Sequence, residues 1–181
     1  MKKIWTVLLC LALVLGCSAA LAQEEKTNLG VINVNGAFTL KCAMPENYRV
    51  EVADVNSTGL RANILPLDAA KPSMILIVEF DDLCADVERL NDLSDEDLAL
   101  LESTYSEYKV DITYGETAHG TKLLIAREVG NDEDFVSVFS IYKGYQVEFI
   151  MLPGEGSATL TDGQIQQCIA FLSDLDFIPV E

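Results

Sequence analysis

The chain has one histidine, His119, and this limits the chemistry that its side chains can support. A serine–histidine hydrolase would need His119 to meet a serine, and no G-x-S-x-G motif marks one. His119 lies in the string ETAHG, which is typical of a loop. Two Ser-x-x-Lys strings, at 106–109 and 140–143, lack the companion Ser-Asp-Asn and Lys-Thr-Gly motifs, so we interpret them as chance. A hydrolase is therefore an alternative with an unmarked active site.

Acidic residues are abundant enough to raise the question of a bound cation. Two acidic loops could supply oxygen ligands: Asn131, Asp132, Glu133 and Asp134, and separately Asp81, Asp82, Asp92 and Asp95. Carboxylates suit Ca²⁺, but neither stretch has the spacing of an EF-hand loop, and one histidine with scattered cysteines gives no zinc spacing. We favour solvated turn charge, with a calcium site at Asp132, Glu133 and Asp134 as the alternative, and we predict no cofactor.

Two further features have a structural and a functional interpretation. Cys42, Cys84 and Cys168 permit at most one internal disulfide, and we favour free thiols because Cys168 lies on an apolar helix face and Cys42 within a strand. Tyr142 and Tyr145 flank a predicted turn, where phenol rings could face a ligand, but core packing is the favoured interpretation.

The first 22 residues have the pattern of a signal peptide. Lys2 and Lys3 precede an apolar run, and the small-residue segment ends in the A-x-A pattern, which predicts cleavage between Ala22 and Gln23. An uncleaved anchor is one alternative. The string VLGC is similar to a bacterial lipobox and makes lipidation of Cys17 another. Each of the three places the domain outside the cytoplasm, on the envelope or secreted.

Charge narrows the class of partner. The chain carries 12 basic and 29 acidic residues, a formal net charge of −17. Nucleic acid and anionic lipid are therefore poor partners for the domain, and we expect no nucleic acid and no membrane association except through a lipid anchor at Cys17.

The elements that would position these residues are organised around a β-hairpin at 135–152. After Gly144 the apolar residues Tyr145, Val147, Phe149 and Met151 alternate with polar ones, which predicts a strand. If Lys143 and Gly144 form a two-residue turn, Tyr142 pairs with Tyr145. One face would carry Val136, Val138, Tyr142, Tyr145, Val147, Phe149 and Met151. The other face is also apolar, with Phe135, Phe139, Ile141, Ile150 and Leu152, which predicts a sheet covered on both sides.

Other strands are predicted at 38–42, 48–52, 60–64, 74–80, 110–114 and 123–127, and the near-continuous apolar run 74–80 belongs in the middle of a sheet. Capping boxes at Ser94–Asp97 and Thr161–Gln164 begin two helices, and Leu83, Val87 and Leu90 suggest a short third one. We predict an α+β fold: a mainly antiparallel sheet of about six to eight strands with helices on both faces. Residues 1–22 form the signal peptide, 23–35 a flexible linker and 36–181 a single domain.

This element order resembles the Mog1/PsbP-like group of α/β/α sandwiches. The likeness lies in the Phe-rich strand ending near a proline at 38–45, the helix near 94–108 between two sets of strands, and the final hairpin with its C-terminal helix at 145–174. The strings IYKGY, LTDGQI and FLSDLDF also resemble small exported bacterial proteins of unassigned function. Members of the sandwich group include an extrinsic subunit of a photosynthetic complex and a binder of a small GTPase, so no functional residue is carried over.

The resemblance implies a binding or assembly module more than an enzyme, by analogy of fold alone. We expect an exported, non-enzymatic module whose ligand is a protein or a small molecule. The alternatives are an extracytoplasmic hydrolase and a calcium-dependent binding domain.

Overall fold

The structure, a computed structural model, describes residues 31–34, 36–42, 47–56, 58–82, 84–105, 110–128, 134–172 and 175–180. The predicted signal peptide, its cleavage site between Ala22 and Gln23, and Cys17 lie outside these residues. No helix in the described ranges is long and apolar enough to cross a bilayer.

Ten strands and two α-helices are formed by the described residues. The strands are β1 Val31–Val34, β2 Phe38–Lys41, β3 Tyr48–Val55, β4 Gly59–Pro66, β5 Ser73–Phe80, β6 Val110–Glu116, β7 Lys122–Glu128, β8 Phe135–Tyr142, β9 Tyr145–Leu152 and β10 Asp176–Pro179. The helices are α1 Asp95–Ser103 and α2 Asp162–Leu172, and a 3₁₀ helix spans Leu90–Asp92.

Seven of the strands form one antiparallel sheet in the order β3-β4-β5-β9-β8-β7-β6. The α+β class and the mainly antiparallel sheet are therefore confirmed. β5 lies inside the sheet between β4 and β9, as its continuous apolar sequence predicted.

The β8–β9 hairpin has the predicted register. Tyr142 pairs with Tyr145, Val138 with Phe149, and Val136 with Met151. Lys143 and Gly144 both have positive φ, 49° and 79°, as the type I′ turn of a two-residue hairpin requires. The period-2 pattern and the glycine therefore predicted this element correctly.

Both helices begin at the predicted capping boxes. The Ser94 Oγ accepts a hydrogen bond from the Asp97 backbone N at 3.2 Å, and the Thr161 Oγ1 accepts one from the Gln164 N at 3.3 Å. The Gln164 carboxamide reaches back, with Oε1 accepting from the Thr161 N at 2.8 Å. These bonds satisfy N–H groups that the first helical turn cannot pair internally.

A second sheet has three strands in the order β1-β2-β10. Two of these strands, β1 and β10, differ from the sequence predictions. Residues 31–34, assigned to the flexible linker, form β1 and pair with β2. β10, which no prediction included, pairs with the other edge of β2 and places Phe177 opposite Leu40. Short strands of four residues are weak signals in a sequence, because their stability comes from the partner strand.

The predicted short helix around 83–90 is wrong for the described residues 84–89. Their backbone groups bond to the hairpin turn instead: Lys143 N donates to Glu88 O at 2.8 Å, and Gly144 N donates to Val87 O at 3.0 Å. Arg89 forms a bridge with Tyr142. The carbonyls that a helix would have used internally are therefore occupied by a distant strand pair.

The buried side chains form two cores. The major core joins the small sheet, α2 and one set of sheet residues, and its members include Phe38, Leu76, Val138, Phe149, Ile165, Leu172 and Phe177. The minor core contains Leu90, Leu98, Leu124, Ala126, Phe139 and Ile141, with Leu101 and Tyr105 packed against it. Val138 and Phe139 are neighbours on β8 and belong to different cores, because successive side chains of a strand point to opposite faces.

Candidate functional site

His119 lies in the β6–β7 loop, where the sequence placed it. The Thr117 Oγ1 accepts from the backbone N atoms of His119 and Thr121, at 3.3 and 3.2 Å, and so shapes the loop. The imidazole is about half exposed, and its Nδ1 lies 3.8 Å from the Asp176 Oδ2 on β10. Among the described residues no serine hydroxyl bonds to the ring. The loop assignment is confirmed, and the hydrolase alternative stays a prediction.

The second Ser-x-x-Lys string is divided between a strand and a turn. Ser140 is buried on β8 and its Oγ donates to the Lys122 carbonyl at 2.9 Å, whereas Lys143 occupies the hairpin turn. The two side chains therefore do not share a helical turn, as the chemistry of that motif requires. The string at 106–109 lies outside the described residues.

Asp134, the described member of the calcium alternative, has a structural position. It is buried, its Oδ2 accepts from the Leu160 N at 2.9 Å, and its own N donates to the Ala158 carbonyl. Asn131, Asp132 and Glu133 lie outside the described residues. Within the described ranges, no group of three or more His, Cys, Asp or Glu side chains could hold a metal ion, and the calcium alternative stays a prediction.

Cys42, Cys84 and Cys168 are not joined to one another by a disulfide, as the favoured interpretation predicted. Burial raises the pKa of the Cys42 thiol to about 12 and that of the Cys168 thiol to about 11. Both therefore stay protonated at neutral pH and serve as apolar core residues.

Tyr142 also belongs to the core, which confirms the favoured interpretation of that ring. It is only 2% exposed and stacks on Phe177 with ring centroids 4.7 Å apart. Phe38 meets Tyr142 and Tyr145 edge-on at 5.1 and 5.3 Å. These rings join the two sheets; Tyr142 is buried among them, and Tyr145 is partly buried at their edge.

An open pocket of about 370 Å³ lies where the 3₁₀ helix faces the ends of β6 and β7. It is lined by Asn91, Tyr114, Gly115, Glu116 and Lys122. The register pairs Tyr114 with Leu124 and Glu116 with Lys122, so these four side chains share the face that carries the minor core.

Tyr114 is the main aromatic surface of this pocket and is 40% exposed. Its hydroxyl donates to the Glu102 Oε1 at 2.8 Å, and the Lys122 Nζ lies 4.9 Å from its ring centroid. Burial, helped by the Glu102 carboxylate, raises the pKa of Tyr114 to about 12. The ring is therefore held between an anion and a cation as a neutral phenol.

Asn91 fixes the wall of the pocket. Its Nδ2 donates to the Gly120 carbonyl at 2.9 Å, and its Oδ1 accepts from the Lys122 N at 3.0 Å. The 3₁₀ helix is thereby tied to the loop and to the first residue of β7. No sequence pattern marks this site, because its residues come from three elements and have no common spacing.

A second polar cluster lies against the minor core, where Glu148 on β9 accepts a 2.5 Å hydrogen bond from the Ser137 hydroxyl on β8. Burial raises the pKa of the Glu148 carboxyl, and the hydrogen bond from Ser137 opposes that rise. Burial, with the nearby Glu148 charge, also raises the pKa of Tyr105. The sequence did contain a signal for this buried carboxylate, because Glu148 lies on the same strand face as Ile150 and Leu152, and that face was predicted to be covered.

Fold and site together define an α+β domain on a seven-stranded antiparallel sheet, with an open pocket lined by a tyrosine, a lysine, a glutamate and an asparagine. No protein-family model matches the chain, and no curated protein matches it either.

Proposed function

We propose that this protein is an exported, non-enzymatic binding or assembly module that holds a polar ligand in the pocket around Tyr114. The observation that carries the proposal is the exposed Tyr114 ring, fixed between the Glu102 carboxylate and the Lys122 ammonium beside open space. An aromatic surface with a few placed polar groups around it offers the kinds of contact by which proteins orient polar ligands.

The chemistry of the pocket favours binding. A tyrosine is a neutral phenol near neutral pH, and the raised pKa of Tyr114 moves it further from use as a general base. Both polar atoms of the Asn91 amide already hold backbone groups. The Lys122 and Glu116 side chains remain to contact a polar ligand, and Tyr114 offers a surface for stacking.

The proposal includes a finer description of the fold, a Mog1/PsbP-like α/β/α sandwich with helices on both faces of the sheet. Two observations support it. Leu98 of α1 belongs to the minor core with Phe139, and Ile165 of α2 belongs to the major core with Val138. Such a sandwich implies a binding or assembly role by analogy of fold.

Export is proposed from the sequence of the first 22 residues. Intact mass and N-terminal sequencing of the native protein test it. A chain that begins at Gln23 would indicate a secreted protein, and a lipidated N-terminal Cys17 would indicate a tethered one. A chain that retains Met1 and is found in the cytoplasm would contradict export.

The binding proposal is tested by NMR titration of ¹⁵N-labelled residues 23–181, the predicted mature chain. The probes are a defined panel of monosaccharides, primary amines and free amino acids at millimolar concentration. We expect at least one probe to shift the amide signals of Tyr114, Gly115 and Lys122, and Tyr114→Ala to remove the response. Tyr114→Phe is the matched control, because it keeps the ring and loses the bond to Glu102. Binding that shifts only other surfaces, or no response to any probe, would contradict the proposal.

A further inference from the structure

The seven-stranded sheet ends in two edge strands, β3 and β6, which present their backbone groups differently. Along β3 the register with β4 shifts between Val52 and Asp54, which is a β-bulge. Arg49 and Glu51 form a 3.0 Å ion pair on the same strand. Bulges and charged pairs on an edge discourage the addition of another strand.

β6, all of whose residues are described, has neither a bulge nor an ion pair within the strand. All seven of its residues pair with β7 in one unbroken register, from Val110 opposite Glu128 to Glu116 opposite Lys122. Its sequence, VDITYGE, is rich in residues that favour strands and contains no proline or lysine. Regular edges of this kind are templates for pairing with another chain.

The backbone groups that would accept a new strand can be assigned. Thr117 N donates to Thr121 O at 3.0 Å, so 117 and 121 form a hydrogen-bonded pair. Pairs alternate along an antiparallel ladder, which turns the N–H and C=O groups of Val110, Ile112, Tyr114 and Glu116 away from β7. Within the described ranges, no other strand meets this outer edge.

The charge of β6 indicates which kind of polypeptide segment could pair with its outer edge. Asp111 and Glu116 are exposed on β6, one on each face of the sheet, and the chain has a net charge of −17. Two copies of such an acidic edge would repel each other, whereas a strand with basic side chains would be attracted.

We propose that the outer edge of β6 binds an extended, basic segment of a partner polypeptide, which adds to the sheet as an eighth strand. The inference rests on the proposed binding function and names the class of partner. Main-chain hydrogen bonds to Ile112 and Tyr114 would hold the segment, and its side chains on the minor-core face would lie beside Tyr114 and Glu116 at the mouth of the pocket.

The test uses residues 23–181 and three short synthetic peptides, with binding followed by fluorescence anisotropy. The first peptide alternates lysine and valine, the second replaces each lysine with glutamate, and the third is the basic peptide with N-methyl groups on alternate backbone nitrogens. We expect the basic peptide to bind, and the acidic and N-methylated peptides to bind roughly tenfold more weakly or not at all. Equal binding of the basic and N-methylated peptides would overturn strand addition.

Two sets of variants locate the site. The double variant Asp111→Lys and Glu116→Lys should bind the acidic peptide more tightly than the basic one. The control, Glu79→Lys with Glu155→Lys, makes the same charge change at exposed positions on other elements. It should still bind the basic peptide more tightly. Tyr114→Pro removes an outward N–H, and Tyr114→Val is its matched control because both variants lose the phenol. A Tyr114→Val protein that loses the basic peptide as completely as Tyr114→Pro would contradict a backbone contact.

Hydrogen exchange supplies a test without mutation. The amides of Ile112 and Tyr114 should exchange fast in the free protein and slowly with the basic peptide bound. If the exchange rates of these amides are the same in the complex as in the free protein, the proposal is overturned. It is also overturned if sedimentation shows that copies of the chain pair through β6. If small probes shift the pocket signals and no peptide binds, this inference fails and the proposed function remains; if neither binds, both fail.

Discussion

Glu148 is a carboxylate that the sheet holds against the minor core, next to the Ser137 hydroxyl and close to Tyr105. Burial makes the charged form less favourable in the folded protein than in the unfolded chain, and the pKa is accordingly raised from its ordinary value. Stability linked to this group is therefore fully present below the unfolded pKa. It is lost as the pH rises through the folded pKa.

We predict that Glu148→Gln becomes more stable relative to the wild type as the pH rises from about 4.5, near the ordinary pKa of glutamate, toward neutrality. The amide keeps an oxygen for the Ser137 hydroxyl and removes the charge. Urea unfolding of both proteins across this range measures the difference. Glu79→Gln, at an exposed position on β5, is the matched control. A difference between Glu148→Gln and the wild type that does not change with pH would contradict the prediction.

Asp134 is a buried carboxylate that joins two segments of the chain. It accepts from the Leu160 N at 2.9 Å and is buried where the chain enters β8. We predict that Asp134→Ala lowers the free energy of unfolding by about 1 to 3 kcal/mol, because the Leu160 N–H loses a partner in a buried place. Asp134→Asn keeps an acceptor and should lose less. Equal losses in chemical denaturation would contradict this role.

At the level of elements, the β8–β9 turn depends on Gly144. Its φ is 79°, and a Cβ there would lie 2.7 Å from the Phe80 Cε2 and 3.1 Å from the Ala85 Cα. The turn is therefore strained by any side chain and also enclosed by the loop at 84–89. This contact connects the sequence of one hairpin to the position of a distant loop.

We predict that Gly144→Ala destabilises the protein by more than the roughly 1 to 2 kcal/mol expected from a positive φ alone. Gly156→Ala is a close control, because Gly156 has the same φ of 79° and a Cβ there would meet nothing within 4 Å. Thermal unfolding of the two variants measures the difference. Equal losses would show that the enclosure around Gly144 adds nothing.

At the scale of the whole molecule, aromatic rings join the small sheet to the large one. Phe177 on β10 stacks on Tyr142 at 4.7 Å and meets Phe38 edge-on at 5.6 Å. The two sheets therefore share one core and should unfold together.

We predict that Phe177→Ala costs about 3 to 5 kcal/mol of stability, because a buried aromatic side chain leaves a cavity between the sheets. Ile178→Ala, on the next residue and 40% exposed, should change stability by no more than about 0.5 kcal/mol. Denaturant unfolding followed by both fluorescence and circular dichroism gives the two values. Separate transitions in the wild type would contradict a shared core.

The local sequence was enough to predict the β8–β9 hairpin, β5 at an interior position and the two capped helices. Each depends on residues a few positions apart: the alternation from Tyr145 to Met151 after the Lys143-Gly144 turn, a continuous apolar run, and Ser94 or Thr161 three residues before its partner. Burial of an apolar face and satisfaction of backbone groups act within such windows, so the sequence records them directly.

The small sheet, the loop at 84–89 and the pocket were decided by contacts between distant residues. β1 and β10 are too short to signal themselves, and Val87 accepts a hydrogen bond from Gly144, 57 positions away in the chain, in place of a helical one. Tyr114, Glu102 and Asn91 meet because a strand, a helix and a 3₁₀ helix pack around one sheet end. Such sites arise from chain folding, which brings together residues that no sequence spacing relates.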